Sequence, residues 1–210
     1  MNVWPSEPRA ADARADLAAH VASRLCHDLI SPIGAIGNGV ELLGMSGIAG
    51  PEMDLISQSV EGASARVRFF RVAFGTAEPG QTVESVHLAE ILANPHRGGK
   101  LRVAWGPTGP VARPEAKLMF LLVMCAEAAL VAGGEARVSQ RGADWRIEAG
   151  GRAMRADPLT WSALTGGAGA PYASGTIQFP LAASHAAAIG MALSVDIAPD
   201  RVAVLARPAT

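Results

Sequence analysis

Residues 24–36 of this chain read Arg24-Leu25-Cys26-His27-Asp28-Leu29-Ile30-Ser31-Pro32-Ile33-Gly34-Ala35-Ile36. Apolar residues in and around this stretch recur at alternating spacings of three and four, which predicts a long amphipathic helix from about Ala10 to Leu43 with one buried stripe. The stripe consists of Ala22, Leu25, Leu29, Ile36 and Leu43, and Pro32 continues it. His27 lies two positions from Leu25 and from Leu29, so at about 100° per residue its side chain points away from the stripe.

Pro32 is the second unusual feature of this helix. Proline has no backbone N–H to donate a hydrogen bond to the carbonyl of Asp28, and its ring clashes with that carbonyl. Together these effects cost about 3 kcal/mol inside a helix. The helix should therefore bend one turn beyond His27. A bend next to an exposed histidine indicates a functional site, although a simple solvated histidine and a kink that fits the helix to its core are the alternatives.

The pattern His27-Asp28-x-x-Ser31-Pro32-x-x-x-Ile36 resembles the phosphoacceptor box of bacterial sensor histidine kinases. The fuller stretch 24–36, together with Arg71-Val72-Ala73-Phe74-Gly75, resembles ChpT-type histidine phosphotransferases more closely. This resemblance is strong through residue 75 and looser beyond it. It implies an α+β fold, in which a helical hairpin forms a four-helix bundle by dimerisation and precedes an α/β sandwich similar to a histidine-kinase ATP-binding domain.

A second helix is predicted from Pro51 to Phe74, after a glycine-rich turn at 44–51. Its apolar residues keep a heptad spacing and are Met53, Ile56, Val60, Ala63, Val67, Phe70 and Phe74. Two helices cannot cover such stripes alone, so a second copy of the chain should complete a four-helix bundle in a homodimer. We therefore divide the chain into a hairpin for dimerisation and phosphotransfer, residues 1–78, and an α/β domain, residues 79–210.

The pattern beyond the hairpin predicts helices at 86–93, 114–132, 158–164 and 176–189, and strands at 101–105, 136–139, 145–149, 193–197 and 202–205. This order is similar to the ATP-binding domain of sensor kinases. The kinases carry asparagines in the helix that matches residues 118–130, where this chain has no asparagine, and residues 148–152 lack the spacing Asp-x-Gly-x-Gly. The glycine-rich residues 166–169 are better explained as a flexible connection than as a phosphate-binding loop. We therefore expect no nucleotide, cofactor or metal to be bound by this chain.

Composition narrows the possible partners and the compartment. The formal net charge of −1 indicates neither nucleic-acid binding nor a membrane surface. Cys26 and Cys125 are far apart and are expected to be reduced thiols, and the five histidines show no metal-ligand spacing. The charged N-terminal residues do not resemble a secretion signal, and the longest apolar run, 118–126, is too short to span a bilayer. These features predict a soluble, cytoplasmic protein.

The chemistry expected at His27 is phosphoryl transfer between aspartates. A neutral imidazole has a pKa near 6.5, so its lone pair can attack an acyl phosphate on a receiver-domain aspartate. Asp28 either holds the Nδ1 proton, as the resemblance implies, or pairs with Arg24 at the favourable i, i+4 spacing and leaves Arg24 to meet the phosphoryl oxygens. A plain surface ion pair is equally compatible with this spacing. Mg²⁺ is expected in the partner receiver domain.

The docking face for that receiver should follow His27 along the helix. Ser31, Gly34, Asn38 and Glu41 lie four, seven, eleven and fourteen residues beyond it. Gly34 and Gly37 disfavour a helix, which indicates close approach by a partner or by the adjoining helix.

The resemblance implies two classes of partner, the receiver of a hybrid histidine kinase upstream and CtrA-like or CpdR-like response regulators downstream. The competing functions are a divergent ATP-dependent histidine kinase and a non-catalytic dimeric scaffold that binds receivers.

Overall fold

The computed structural model describes residues 29–30, 33–47, 50–93, 101–167 and 175–209. Helix α1 occupies 29–30 and 33–45, and α2 spans Pro51–Ala73. The predicted start of α1 near residue 10 and the predicted bend at Pro32 lie outside the described residues. Pro51 in the first turn of α2, followed by Glu52 and Asp54, explains why this helix begins there, since proline and acidic side chains favour a helix N-terminus.

The remaining elements are β1 Thr82–Glu84, α3 Ser85–Ala93, β2 Leu101–Trp105, β3 Pro110–Ala112, α4 Arg113–Ala129, β4 Gly134–Arg141, β5 Asp144–Gly150, α5 Pro158–Ser162, a 3₁₀ turn Ala163–Thr165, α6 Gln178–Ala188, β6 Met191–Ile197 and β7 Arg201–Pro208. Every helix and strand predicted for residues 86–205 is present. The sequence pattern missed β1 and β3, because three residues are too few to show a period. The α+β fold class is confirmed.

Strands β2 and β4 to β7 form one five-stranded sheet in the order β2-β4-β5-β7-β6. β2 and β4 are parallel, and the other neighbours are antiparallel. Side chains along β4 and β5 alternate between the two faces of the sheet. Ala136, Val138, Trp145 and Ile147 are buried, whereas Arg137 is exposed. One face of the sheet therefore lies against helices, and the other face is open.

Helix α4 lies at the centre of the helical layer. Its residues from Leu118 to Val123 are all at most 1% exposed, so it is apolar on every side and must be covered on every side. It packs on α6, on the sheet through β5 and β4, and on α2.

The contact with α2 extends the core into the hairpin. The ring of Phe69 on α2 lies 4.9 Å from the ring of Phe120 on α4, and Trp105 links Phe120 to Trp145 in the sheet. Val72 and Ala73 are buried in the same core. The last turns of α2 therefore pack with the residues that follow the predicted boundary at 78/79.

Polar contacts fix the end of α2 as well. Arg113 donates from Nε to the carbonyl of Thr76 at 3.2 Å and from Nη2 to the carbonyl of Arg71 at 3.3 Å. Lys117 Nζ donates to the carbonyl of Gly75 at 2.8 Å. A Cβ on Gly75 would lie 2.3 Å from the Arg71 oxygen, so only glycine fits there. The stretch 71–75 thus ends α2 and receives two cations from α4.

We predict that Arg113→Met destabilises the protein by about 1 to 3 kcal/mol, because two carbonyls lose a charged hydrogen-bond donor in a partly buried site. Chemical denaturation measures the change. Arg102→Met is the matched control: Arg102 pairs with Glu135, but their side chains are 81% and 66% exposed, so its loss should cost less than ~1 kcal/mol. Equal effects from the two variants would contradict the role given to Arg113.

We also predict that His185 makes stability depend on pH. Its Nε2 lies 2.9 Å from the carbonyl oxygen of Pro114. Burial lowers the pKa of His185. The hydrogen bond to Pro114 raises this pKa in part, and the charge of Lys117 lowers it further. Because the pKa of His185 is lower in the folded state, its contribution to stability is fully present above the unfolded pKa of about 6.5. That contribution is lost as the pH falls from there through the folded pKa.

His185→Gln keeps a hydrogen-bond donor for the Pro114 carbonyl but cannot titrate. The midpoint of thermal unfolding should therefore fall less steeply in this variant than in the wild type between about pH 7 and pH 5. The same slope in both proteins would show that His185 does not carry the effect.

Candidate functional site

Four of the seven predicted site residues, Arg24, His27, Asp28 and Ser31, lie outside the described residues. Their roles remain predictions. The other three, Gly34, Asn38 and Glu41, lie on α1 and are all exposed. Their spacings of four and three place them on one face of the helix, as expected.

The structure separates the two alternatives left open for the helix glycines. A Cβ on Gly37 would lie 3.3 Å from Cγ1 of Val60, so the adjoining helix α2 approaches α1 closely at this position. A Cβ on Gly34 would have nothing within 4 Å. Gly37 therefore serves helix packing inside the hairpin, whereas Gly34 leaves open space on the face that it shares with Asn38 and Glu41.

The apolar stripe of α1 is exposed in the single chain. Leu29, Ile36 and Leu43 are 49%, 55% and 44% exposed, and on α2 the side chain of Ile56 is 44% exposed. The three stripe residues of α1 lie on a different side of that helix from Gly34, Asn38 and Glu41. The two sets are two or five positions apart, and such a step turns the side chain to roughly the opposite side of a helix. The hairpin thus presents a glycine-containing polar face and a separate apolar face.

Helix α4 contains most of residues 118–130, the stretch that resembles the asparagine-bearing helix of the kinases, and several of its side chains belong to the core. Leu122 and Cys125 are fully buried on α4, and Ala126 is 2% exposed. Burial raises the pKa of the Cys125 thiol well above its usual value, so this side chain behaves as a neutral part of the core. The missing asparagines are replaced by side chains that α4 needs for packing.

Glycines near the end of β5 have a packing role. A Cβ on Gly134 would lie 2.2 Å from the oxygen of Gly150, and a Cβ on Gly151 would lie 2.4 Å from the oxygen of Gly133. Two backbone segments meet here without room for side chains.

The second glycine-rich stretch is described only in part. Gly166 has φ +82° and ends the 3₁₀ turn, and the N–H of Gly167 donates to the carbonyl of Ser162. These two residues therefore close a turn, and Gly169 lies outside the described residues.

Arg113 and Lys117 are the residues that the sequence interpretation missed. Both lie near the N-terminus of α4, where the helix dipole disfavours cations. Burial, and secondarily the charge of Arg71, lower the pKa of Arg113. A pair of cations at an unfavourable helix end was the available signal that carbonyl acceptors lie nearby.

The described residues, 29–30, 33–47, 50–93, 101–167 and 175–209, show neither a membrane-spanning helix nor a metal-binding cluster. No helix in these parts of the chain is both long and apolar enough to cross a membrane. The same residues contain no group of three or more histidine, cysteine, aspartate or glutamate side chains arranged to hold a metal ion.

Comparison with known proteins agrees with the geometry. The family model of the histidine phosphotransferase C-terminal domain matches residues 86–201. Protein phosphotransferase ChpT of Brucella abortus (strain 2308) is 35% identical over 149 residues, which cover 68% of this chain and 71% of that protein. A bacterial phosphotransferase of known structure has a TM-score of 0.65 and 26% identity, over 97% of this chain and 99% of its own. The chain therefore belongs to the ChpT-type histidine phosphotransferase family.

Proposed function

We propose that this protein relays phosphoryl groups through His27, from the receiver aspartate of a hybrid histidine kinase to response-regulator aspartates. The observation that carries the proposal is the stretch 24–36, with its histidine, adjacent acid and Ser-Pro pair, in a chain of the ChpT-type family. CtrA-like and CpdR-like regulators are the proposed acceptors. The relay is proposed to operate in the cytoplasm.

The proposed reaction needs no redox partner and no nucleotide. The lone pair of the His27 imidazole attacks the phosphorus of the aspartyl phosphate, and the P–O bond breaks with its electron pair returning to the carboxylate. Either Asp28 holds the proton on the other ring nitrogen, or it pairs with Arg24 and leaves Arg24 to neutralise the phosphoryl oxygens. The reverse attack by a second aspartate regenerates the neutral imidazole. Positioning and charge neutralisation supply most of the catalysis, and Mg²⁺ is contributed by the receiver.

The receiver is proposed to dock on the face formed by Ser31, Gly34, Asn38 and Glu41. Gly34 supports this proposal because open space surrounds its α-carbon, so a partner backbone can approach the helix closely. Asn38 and Glu41 are exposed beside it and offer hydrogen-bonding groups to a polar protein surface.

The protein is also proposed to act as a homodimer. Leu29, Ile36, Leu43 and Ile56 leave an apolar surface on the hairpin that a second copy would cover in a four-helix bundle. Val67 is only 8% exposed within one chain, so it supports the hairpin itself. Residues that are exposed in the single chain are therefore the appropriate ones for testing association.

The first prediction of this proposal concerns the phosphorylated residue. A receiver domain labelled with ³²P at its aspartate should transfer label to the wild type and to His20→Ala, and His27→Ala should accept none. Gly34→Arg should transfer much more slowly while remaining folded, because its side chain fills the proposed docking face. Label retained by His27→Ala would overturn the assignment.

Labelled ATP with Mg²⁺ is the control for autokinase activity in the same assay. We expect no label from ATP, since the helix that would grip its phosphates offers buried Leu122, Cys125 and Ala126. Labelling of His27 by ATP alone would instead favour the divergent kinase. Absence of label from both donors would favour a non-catalytic scaffold.

The second prediction concerns association. Ile36→Asp combined with Leu43→Asp should convert a wild-type dimer into a folded monomer, because each charge would be buried without a partner at the interface. Sedimentation velocity at micromolar concentration measures this change. Val131→Asp is the matched control, since Val131 is 61% exposed but lies after α4, away from the hairpin. A monomeric wild type would contradict the proposal.

A further inference from the structure

The open face of the five-stranded sheet carries a basic concavity that none of the phosphotransfer chemistry uses. Its volume is about 1300 Å³, and it is lined by parts of β2, β4 and β5 and by the loops at their ends. Ala104 presents a small side chain to it, and Gly134, Gly150 and Gly151 line it where two backbone segments meet. Among the described residues that line it are four arginines and two glutamates, although the whole chain has a net charge of −1.

Two of the arginines are already neutralised. Arg102 binds Glu135 across the parallel pair β2 and β4. Arg146 binds Glu148 on the same strand. Both glutamates are therefore occupied by arginines.

The other two arginines, Arg137 and Arg152, are exposed and form neither an ion pair nor a hydrogen bond with any described part of the chain. Arg137 lies on β4 between Ala104 on one neighbouring strand and Glu148 on the other. The small side chain of Ala104 leaves the guanidinium open on that side. Within the described parts of the chain the concavity thus holds two arginines without an acidic partner, and their guanidinium groups suit carboxylate ligands.

We propose that this concavity docks an acidic protein segment, with aspartate or glutamate side chains on Arg137 and Arg152. Glu135 and Glu148 would repel a continuous run of negative charge, so they select a segment whose acids are spaced to meet the free arginines. The same glutamates disfavour a nucleic-acid backbone, and none of the described residues that line the concavity is an aromatic side chain that could stack on a base. An isolated phosphate would find only exposed, solvated groups.

This surface is separate from the proposed phosphotransfer face. Helix α4 covers one face of the sheet and α2 packs on α4, whereas Arg137, Arg146 and Glu148 project from the opposite face. A partner held on the basic concavity therefore leaves the hairpin accessible. The proposal does not depend on phosphotransfer at His27.

The test uses the full chain and a fluorescein-labelled dodecapeptide of alternating Asp and Ser, with an Asn-Ser peptide as the neutral control. Fluorescence anisotropy at low ionic strength should show saturable binding of the acidic peptide alone. Arg137→Glu and Arg152→Glu should each weaken it about tenfold, as expected for loss of one charged hydrogen-bonded pair. Arg141→Glu is the matched control, because Arg141 is an exposed arginine on the same face of β4 outside the concavity, and it should retain nearly full affinity.

Amide shifts measured by NMR should locate the bound peptide on β2, β4 and β5. Binding that is unchanged in Arg137→Glu, shifts confined to the hairpin, or the absence of saturable binding would each overturn the proposal. Tighter binding of a single-stranded oligonucleotide or of inorganic phosphate than of the peptide would overturn it in favour of that ligand. Thermal unfolding of each variant confirms that an altered affinity does not reflect a loss of fold.

Discussion

The need to cover helix α4 on every side is the constraint on which the rest of this structure depends. The helix is apolar around its whole circumference, so exposing any side would cost the free energy of hydrating several large side chains. The sheet covers one side, α6 covers another, and the last turns of α2 cover a third. Because α2 also forms half of the hairpin, burial of α4 joins the hairpin to the α/β domain.

Polar contacts then set the orientation of that junction. Apolar packing between Phe69 and Phe120 tolerates some rotation, whereas hydrogen bonds to particular carbonyls do not. Arg113 and Lys117 bind the carbonyls that end α2, and Gly75 allows the backbone to turn there. In the proposed relay the phosphoryl group arrives with a docked partner, so the α/β domain does not have to carry a nucleotide to the histidine. A fixed junction suits that mechanism.

The same packing occupies the helix that, by resemblance, corresponds to the asparagine-bearing helix of the kinases. Leu122, Cys125 and Ala126 are core residues on α4. A kinase must keep polar groups at such positions to replace the hydration of magnesium and phosphate. In the proposed relay that requirement is absent, so the helix can be packed on all sides. The two proposed binding surfaces then lie on different elements, the hairpin and the open face of the sheet.

The sequence by itself determined the helices of the α/β domain, the strands of the five-stranded sheet and the exposed face of α1, because these follow from local periodicity. It could not show β1 and β3, which are three residues long and exist only through their pairing. Tertiary structure alone decided that Gly37 packs on Val60 while Gly34 faces open space, and that Arg113 meets carbonyls some 40 positions away. It also left Arg137 without an ion pair among the described residues, while the neighbouring Arg102 and Arg146 formed ion pairs. The physical reason is that periodicity specifies which face a residue occupies, whereas contacts between distant elements specify what that face meets.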